Sequence, residues 1–448
     1  MGAIAGVSLP DRGELVSSML TKMKHRWNKI EVFSTSHSTL GVSVNTAENS
    51  IRENPTNKYK VIDELLPGEH YAKAEEIDGT INLNRDFAGV VPIYFGYDEE
   101  NNLYFASEVK GLMGFVKNVR PVPPGGVIVK GKVKKLLDIF RTLKYNQEDI
   151  EQIKSRLYSL LEDSIRKCIT NEKPIGILLS RGLDSSTIVA FARKFTDKIY
   201  GFSCGFAGAS DLEYSKRLAK EFEITYYPIK AEINEVVKIL PQVIYHLESF
   251  DARLIRSSLI HYLAVRKAAE YVEAILSGEG ADELFAGYYY LQKLTYKKLE
   301  KELQLIFYNL HNTALQRVDR CSAAFGVRTY VPFLCREVVD YVKNISPQLK
   351  IKNKTEKWIL KETLKHILPI YIIKRPKQKL WQGSGVENKL EYYCNEIIKD
   401  EDFRKNRVLK NGWEINSKEE YYYYKIFQEL FSSFDDYNWI GRTDINKP

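Results

Sequence analysis

Residues Pro174–Ser186 read PIGILLSRGLDSS, and they indicate the fold class because they join an apolar run to a polar turn. The run Ile175–Leu179 has the length and composition of a strand buried on both faces. The turn ends in a predicted helix from about Ser186 to Phe195. Strand, turn and helix in this order predict the start of a parallel sheet.

The same alternation continues outward from this stretch. Ile150, Ile153, Leu157, Leu160 and Ile165 follow the spacing of one helix face. On the other side come three more strands and an intervening helix: Ile199–Ser203, Leu212–Phe222 (the helix), Thr225–Ile229 and Ala274–Leu276. This pattern predicts an α/β fold with a doubly wound parallel sheet.

The first ~145 residues have a different pattern, with short β-type runs separated by Gly, Pro, Asn and Asp turns. These predicted strands are Ile30–Thr35, Val90–Tyr97, Leu103–Ala106 and Gly126–Val129. The Pro- and Gly-rich segment around Arg120–Gly131 closes this region. We therefore expect two domains, 1–145 and 146–448.

Composition excludes several classes of protein. The chain has 448 residues, 44% hydrophobic and 28% charged, as in globular proteins. No apolar run approaches the ~18 residues of a membrane span, and the early residues lack the pattern of a secretory signal. Five scattered cysteines without a Cys-x-x-Cys pair argue against a disulfide framework and a structural zinc site. We expect a cytoplasmic protein that binds neither membrane nor nucleic acid.

A net charge of +8 is spread over 66 basic and 58 acidic residues. The short basic runs Lys130–Lys135, Lys350–Lys357 and Lys374–Lys379 are interpreted as solvated surface, with attraction of polyanionic nucleotides as the alternative.

The turn after the first apolar strand carries Ser180, Gly182, Asp184 and Ser185. Backbone N–H groups and hydroxyls at a helix N-terminus can cradle phosphate, and open parallel sheets bind ligands at this edge. A carboxylate there suits a site that also holds a divalent cation. The alternative is a Ser-rich helix cap without a ligand.

A second turn, SGEGADELFAGY (Ser277–Tyr288), follows the strand Ala274–Leu276 and carries Glu279, Asp282 and Glu283. Three carboxylates so close together are costly unless they are solvated, paired or bound to metal. The alternative is an acidic turn that complements a helix dipole. Two such turns on one sheet favour a shared magnesium–nucleotide site.

SRGLDSS and SGEGADELFAGY resemble the nucleotide and acidic loops of the asparagine synthetase family of ATP-pyrophosphatases. The resemblance extends over Leu83–Met113, Leu247–Gly280, Arg317–Leu334, Lys357–Gly385 and Glu419–Phe431. It implies an Ntn-hydrolase-like αββα layer domain, followed by an ATP-pyrophosphatase domain of the adenine nucleotide alpha hydrolase-like type. It also implies a ligase that uses ATP and Mg²⁺ to adenylate a carboxylate before an amine displaces AMP.

The resemblance implies a role for each matching residue. Asp184 and Asp282 would hold Mg²⁺, while Glu279 and Lys377 would be catalytic. The nucleotide, including its pyrophosphate, would be held by Leu179, Ser180, Gly182, Leu183, Asp184, Ser185, Cys204, Ser277 and Gly278.

The chain departs from the family at its first residues. Family members that hydrolyse glutamine begin Met-Cys-Gly-Ile, whereas this sequence begins MGAIAG and has no cysteine before Cys168. Ser8 cannot substitute because it is expected to lie inside the first strand. We expect a shortened domain without glutaminase activity.

Four further positions also differ from the family pattern. Arg181 replaces a loop glycine, Cys335 replaces an aspartate, and Arg328 and Tyr330 replace a glutamate and an arginine. Arg181 either adds a guanidinium contact to phosphate or points outward. The changes at Cys335, Arg328 and Tyr330 are compatible with an altered acyl substrate or with altered packing only.

Three functions follow from these features. The first is asparagine synthesis from aspartate and ammonia, free or delivered by a separate partner. The second keeps adenylation but changes the acyl substrate or amine, as in β-lactam synthetases or peptide amide ligases; the retained Glu279 favours an external amine. The third is a non-catalytic nucleotide-binding regulator, which has no need of all the retained residues. A homodimer is a family-level expectation.

Overall fold

A computed structural model describes residues 2–27, 29–44, 51–54, 58–136, 139–140, 143–169, 173–180, 182–375, 383–434 and 436–442. The predicted site residue Lys377 and the family departure Arg181 therefore lie outside the described residues.

The N-terminal part is built from two six-stranded sheets. Their strands are β1 (Ala3–Val7), β2 (Lys29–Ser34), β3 (Thr39–Val44), β4 (Ile51–Asn54), β5 (Lys58–Leu66), β6 (His70–Ile77), β7 (Thr80–Arg85), β8 (Tyr94–Tyr97), β9 (Leu103–Ala106), β10 (Val119–Pro121), β11 (Gly126–Val129) and β12 (Lys132–Leu136). The first sheet has the order β10-β8-β9-β1-β3-β2, and the second has the order β12-β11-β7-β6-β5-β4.

The two sheets pack face to face through alternating side chains. In β6 every second residue is buried, which is the pattern of a strand with one face in a core. Ile4 and Val42 of the first sheet share this core with Val61 and Leu83 of the second. Helix α1 (Gly13–Thr21) packs against β1, β2 and β3. The two packed sheets agree with the central layers of the predicted αββα domain.

Two expectations for this part need correction. The run Val90–Tyr97 is a strand only over Tyr94–Tyr97, because the Asp86 carboxylate accepts hydrogen bonds from the backbone N–H groups of Ala88, Val90 and Val91. Those amides are then unavailable to a strand ladder. Ser8 lies just after β1, which ends at Val7, and not inside that strand.

The C-terminal part contains a five-stranded parallel sheet. Its strands are β13 (Ile175–Leu178), β14 (Ile199–Gly205), β15 (Thr225–Lys230), β16 (Ala274–Leu276) and β17 (Arg328–Tyr330), in the order β15-β14-β13-β16-β17. The chain adds strands on one side of β13 and then crosses to the other side. The switch point lies between β13 and β16, where open sheets bind ligands.

Helices surround this sheet. They are α2 (Ile150–Cys168), α3 (Leu183–Ala192), α4 (Ser210–Glu221), α5 (Ile233–Leu247), α6 (Ala252–Ala268), α7 (Ala281–Phe285), α8 (Tyr296–Tyr308), α9 (Ala314–Ala323), α10 (Arg336–Val342), α11 (Pro347–Lys350), α12 (Trp358–Leu364), α13 (Ile370–Ile373), α14 (Val386–Ile397), α15 (Asp400–Asn406) and α16 (Lys418–Leu430). A capping box between Asp149 and Gln152 starts α2.

The prediction placed the start of α3 three residues too late. Gly182 is its N-cap, with extended backbone, so Asp184 and Ser185 belong to the first turn of the helix. The predicted phosphate turn is thus the N-terminus of α3 itself.

The last strand of the N-terminal part, β12, ends at Leu136, and α2 begins at Ile150. The domain boundary between residues 145 and 146 stays a prediction. Among the described residues, no helix combines the length and apolarity needed to cross a membrane. All five cysteines are buried free thiols.

Candidate active site

A cavity of about 410 Å³ opens at the carboxyl ends of β13 and β16. All predicted site residues that the structure describes line it: Leu179, Ser180, Gly182, Leu183, Asp184, Ser185, Cys204, Ser277, Gly278, Glu279 and Asp282. Two turns that lie almost a hundred residues apart in the sequence therefore meet at one site.

The first turn is held in shape by its own serines. The Ser185 hydroxyl donates to the Ser180 carbonyl at 3.0 Å and accepts from the Ser180 backbone N–H at 3.2 Å. The Gly182 N–H donates to the Ser180 hydroxyl at 3.1 Å. These bonds fix the entry to α3, whose first N–H groups and positive dipole end face the cavity.

Glycines let the second turn approach the first. A methyl group at Gly278 would lie 2.7 Å from the Asp184 Cβ atom, so only glycine permits this packing. Gly280 has a φ of 92°, and a Cβ atom there would lie 2.5 Å from Leu334. The Ser277 N–H donates to the Tyr330 carbonyl at 2.9 Å, which ties the turn to β17.

The ammonium of Lys357 lies between the two predicted metal ligands. Its Nζ atom donates to Asp184 Oδ1 at 2.6 Å and Oδ2 at 2.7 Å, and lies 2.6 Å from Asp282 Oδ1. A Cβ atom at Gly287 would lie 1.9 Å from Asp282 Oδ1 and 2.3 Å from Lys357 Cε, so this glycine leaves room for the pair.

The donor chemistry of this arrangement fits Mg²⁺. Two carboxylates from different turns already converge on one cation, and Mg²⁺ usually takes one or two protein carboxylates together with substrate phosphates and water. Asp184 and Asp282 are therefore the residues that would hold the metal.

Glu279 is paired on the other side of the cavity. Its Oε1 atom accepts from Arg317 Nη2, and Arg317 Nη1 donates to the Ser257 hydroxyl at 3.1 Å. The side chain of Glu279 is 24% exposed and that of Arg317 11%. A partly exposed carboxylate with one fixed partner is oriented yet open to a substrate.

Glu283 is a buried carboxyl in the cavity wall. Burial, followed by the neighbouring Asp282 charge, raises the pKa of Glu283 to about 7. The Tyr288 hydroxyl donates to Glu283 Oε1 at 2.5 Å. Burial and the Glu283 charge hold the pKa of Tyr288 well above its usual range. Glu283 can therefore exchange a proton near neutral pH, and Tyr288 remains a donor.

Cys204 contributes shape to the cavity and not reactivity. It lies in β14 and is 4% exposed. Burial raises the pKa of its thiol to about 12, so the thiol stays protonated. Leu179 is fixed nearby by its N–H, which donates to the Phe202 carbonyl at 2.7 Å.

The sequence prediction missed Lys357 and Arg317 as site residues. Lys357 was assigned to a solvated basic run, but it is 2% exposed, and Lys350 in the same run is 4% exposed. The interpretation of that run as surface is wrong at these two positions, although Lys352 and Lys354 are exposed. Asp184 and Asp282 form an acidic pair that needs a cation beside it. The spacing of residues in the sequence does not reveal which lysine supplies that cation.

The other departures from the family pattern lie away from the cavity. Arg328 begins β17 and lies 4.0 Å from Glu273, Tyr330 is buried in the same strand, and Cys335 is buried at the start of α10. None of these three residues lines the cavity.

Comparisons with known proteins identify the family of the chain. The family model Asparagine synthase matches residues 156–301 and 292–444. Asparagine synthetase B [glutamine-hydrolyzing] of Escherichia coli (strain K12) is 32% identical over 78% of this chain and 67% of its own. Asparagine synthetase [glutamine-hydrolyzing] of Brassica oleracea is 28% identical over 79% of this chain and 64% of its own. The chain spans about two thirds of the length of these relatives.

Among solved structures, NMN synthetase from Francisella tularensis is similar with a TM-score of 0.29 and 15% identity. That match covers 67% of this chain and the full length of the NMN synthetase chain. NH3-dependent NAD synthetase from Campylobacter jejuni has a TM-score of 0.27 and 12% identity, over 63% of this chain and 94% of the other.

Proposed function

The chain belongs to the asparagine synthetase family, and we propose that it is an ATP-dependent amide ligase that adenylates aspartate and transfers ammonia to it. The products are asparagine, AMP and pyrophosphate. One observation carries the proposal: Asp184 and Asp282, from separate turns, converge on one cation at the edge of the sheet where nucleotides bind.

The nucleotide would lie across the switch point. The N-terminus of α3, with Ser180, Gly182, Leu183 and Ser185, suits the pyrophosphate because it offers N–H groups, hydroxyls and a positive dipole end. The cavity wall formed by Leu179, Cys204, Ser277 and Gly278 suits the adenosine. Mg²⁺ held by Asp184 and Asp282 would neutralise phosphate charge when bound.

The reaction would proceed in two steps. An oxygen of the substrate carboxylate attacks the α-phosphorus, the bond to the β-phosphate oxygen breaks, and pyrophosphate leaves. Ammonia nitrogen then attacks the acyl carbon, and the bond from that carbon to AMP breaks. Glu279, oriented by Arg317, accepts the proton that the nitrogen loses. Lys377 remains a proposed catalytic cation for the negative charge that develops.

We also propose that residues 1–145 do not hydrolyse glutamine. They contain no cysteine. The start of β1 also lacks room for a nucleophilic side chain, because a Cβ atom at Gly2 would lie 2.4 Å from the Ser43 carbonyl oxygen. The Gly2 N–H instead donates to Asp63 at 2.7 Å. Ammonia would come from solution or from a separate partner protein.

The remaining parts of the proposal are a cytoplasmic location and a homodimer. Five buried free thiols suit a reducing compartment. The dimer is a family-level expectation, which light scattering of the purified chain would test.

Pyrophosphate–ATP exchange and amide formation test the function together. Exchange with aspartate, followed by asparagine and AMP when ammonium is added, would support the proposal. Exchange only with another carboxylic acid would favour the altered acyl substrate, and no exchange with any acid would favour the nucleotide-binding regulator. Glutamate release from glutamine would contradict the proposal that residues 1–145 do not hydrolyse glutamine.

Two substitutions separate the steps. Asp184→Ala removes a proposed metal ligand, so it should abolish exchange and amide formation together. Glu279→Gln keeps the size of the side chain but removes the proton acceptor, so exchange should persist while amide formation falls by at least about a hundredfold, within the usual range for a general base. Unchanged amide formation in either variant would remove that residue from the mechanism.

A further inference from the structure

A cluster of buried charges joins the N-terminal part to the C-terminal part. We call it the interface cluster, and its members are Arg26, Glu108, Lys110, Glu248, Asp319 and Arg320. All six side chains are buried. The first three come from the N-terminal part and the last three from the turn after α5 and from α9.

Arg26 is the residue that reaches across the interface to α9. Its Nε atom donates to Glu108 Oε1 at 2.6 Å. Its Nη1 atom donates to Asp319 Oδ1 at 3.3 Å, and Nη2 contacts Asp319 Oδ2. The planar guanidinium thus grips both oxygens of one buried carboxylate, a geometry that lysine cannot reproduce.

Arg320 of α9 makes a second set of contacts within the interface cluster. Its Nη2 atom donates to Glu248 Oε2 at 3.2 Å, and its Nη1 atom lies 3.6 Å from Glu108 Oε1. Glu248 in turn accepts the backbone N–H groups of Val109 at 3.0 Å and Lys110 at 2.7 Å. Helix α9 is therefore clamped to the N-terminal part through two neighbouring residues.

The same helix carries Arg317, which contacts Glu279 in the cavity. Arg317 and Arg320 are three residues apart and lie on neighbouring positions of one helix surface. Helix α9 thus contributes Asp319 and Arg320 to the interface cluster. One turn earlier, its Arg317 contacts the proposed catalytic carboxylate of Glu279.

We propose that Arg26 is a positioning residue: by gripping Asp319 it fixes α9, and through Arg317 it sets the position of Glu279. The N-terminal part then serves the reaction without performing chemistry of its own. Loss of Arg26 leaves Asp319 paired with Arg320 of its own helix and removes the contact that ties this carboxylate to the N-terminal part, so we expect α9 to shift and to carry Arg317 with it. This inference rests on the proposed function for its kinetic consequence only.

The kinetic test compares two rates on the same protein. In Arg26→Met, amide formation should fall about tenfold while pyrophosphate–ATP exchange stays within about twofold, since coupled substitutions usually act in this range. A smaller folded fraction would lower both rates equally, so their ratio is independent of folding. Arg26→Lys keeps the charge and should recover part of the loss.

Arg85→Met is the matched control because Arg85 is also a buried arginine of the N-terminal part. Its guanidinium donates to the carbonyls of Gly89, Val91 and Val122, all within that part. The ratio of the two rates should stay at the wild-type value in this variant. An equal fall of both rates in Arg26→Met, or no fall, would overturn the inference.

Hydrogen exchange followed by mass spectrometry tests the same inference without any turnover. Arg26→Met and Arg26→Lys should increase deuterium uptake in peptides that cover residues 277–287 and 314–323, and Arg85→Met should not. Unchanged uptake in both Arg26 variants would overturn the inference. If the wild type catalysed no exchange with any acid, the proposed function would fail, and the uptake comparison would still decide the role of Arg26.

Discussion

Lys357 shows how a single side chain can hold two carboxylates of the cavity in place. Asp184 and Asp282 come from different turns, and in the cavity both contact this ammonium. The lysine has a φ of 52° at the N-cap of α12, a backbone conformation that favours glycine. That local strain is tolerated because the ammonium neutralises two partly buried charges.

Replacing Lys357 should therefore destabilise the nucleotide-free protein. In Lys357→Met the two carboxylates lose their buried partner, which usually costs about 3–5 kcal/mol of unfolding free energy. Denaturant unfolding should show this loss, and Mg–ATP should restore part of it because a cation again lies between the carboxylates. The exposed Lys354→Met is the control. Equal stability of the two variants would show that the pair is not stabilising.

Glu283 predicts a pH dependence of stability. Its pKa is raised from 4.5 to about 7 by burial and by Asp282, so the folded state holds a proton that the unfolded state releases. The resulting stabilisation is present at acidic pH and is lost as pH rises from about 4.5 through 7, by up to about 1.4 kcal/mol per pH unit.

Glu283→Gln tests this dependence because the amide cannot titrate and can still accept from Tyr288. Denaturant unfolding between pH 5 and pH 8 should give a variant whose stability relative to wild type increases with pH. A constant difference across this range would mean that Glu283 does not titrate there.

At the scale of secondary structure, the alternation of strands and helices was predictable and several boundaries were not. The strands around Ile177, Phe202 and Ile275 are apolar runs buried in the sheet, so their pattern alone identifies them. The start of α3 was missed because the Ser180–Ser185 hydrogen bonds, which set it, depend on the folded turn. Hydrogen bonds to Asp86 likewise exclude Val90–Ile93 from the predicted strand Val90–Tyr97.

The contact between the two turns gives a prediction at this scale. Gly278→Ala places a methyl group 2.7 Å from the Asp184 Cβ atom and should push the turns apart. Overpacking of this kind usually costs about 1–3 kcal/mol, so Mg–ATP affinity should fall by about tenfold or more. Calorimetric titration measures the Mg–ATP affinity. Gly13→Ala is the control because no atom lies within 4 Å of a Cβ atom added at Gly13. Equal affinity in both variants would contradict the close packing.

At the scale of the whole molecule, the sequence predicted two parts and the residues of one cavity, but not how the parts are joined. The motifs around Asp184 and Glu279 are contiguous in sequence, and their convergence follows from the edge of a parallel sheet. Arg26, Glu108 and Asp319 are far apart in the chain and look like ordinary surface charges. Their burial against one another depends on the packed interface and leaves no periodic signal.

We expect that a cysteine introduced at Gly2 does not give the N-terminal part glutaminase activity. A Cβ atom at Gly2 would lie 2.4 Å from the Ser43 carbonyl oxygen, so a cysteine there should displace the start of β1. Gly2→Cys should release no glutamate from glutamine, measured by mass spectrometry. Gly2→Ser has the same steric demand without a thiol, and glutamate release from the cysteine variant alone would contradict this expectation.

The interface cluster also bears on how such a protein changes over generations. Each part covers charges of the other, so a deletion of the N-terminal part would expose Asp319, Arg320 and Glu248 to water and would remove their contacts with Arg26, Glu108 and Lys110. A nucleophile can be lost by one codon change at little thermodynamic cost, whereas the surrounding fold cannot. If a glutaminase reaction was lost in descent, these contacts would favour retention of the scaffold that carried it.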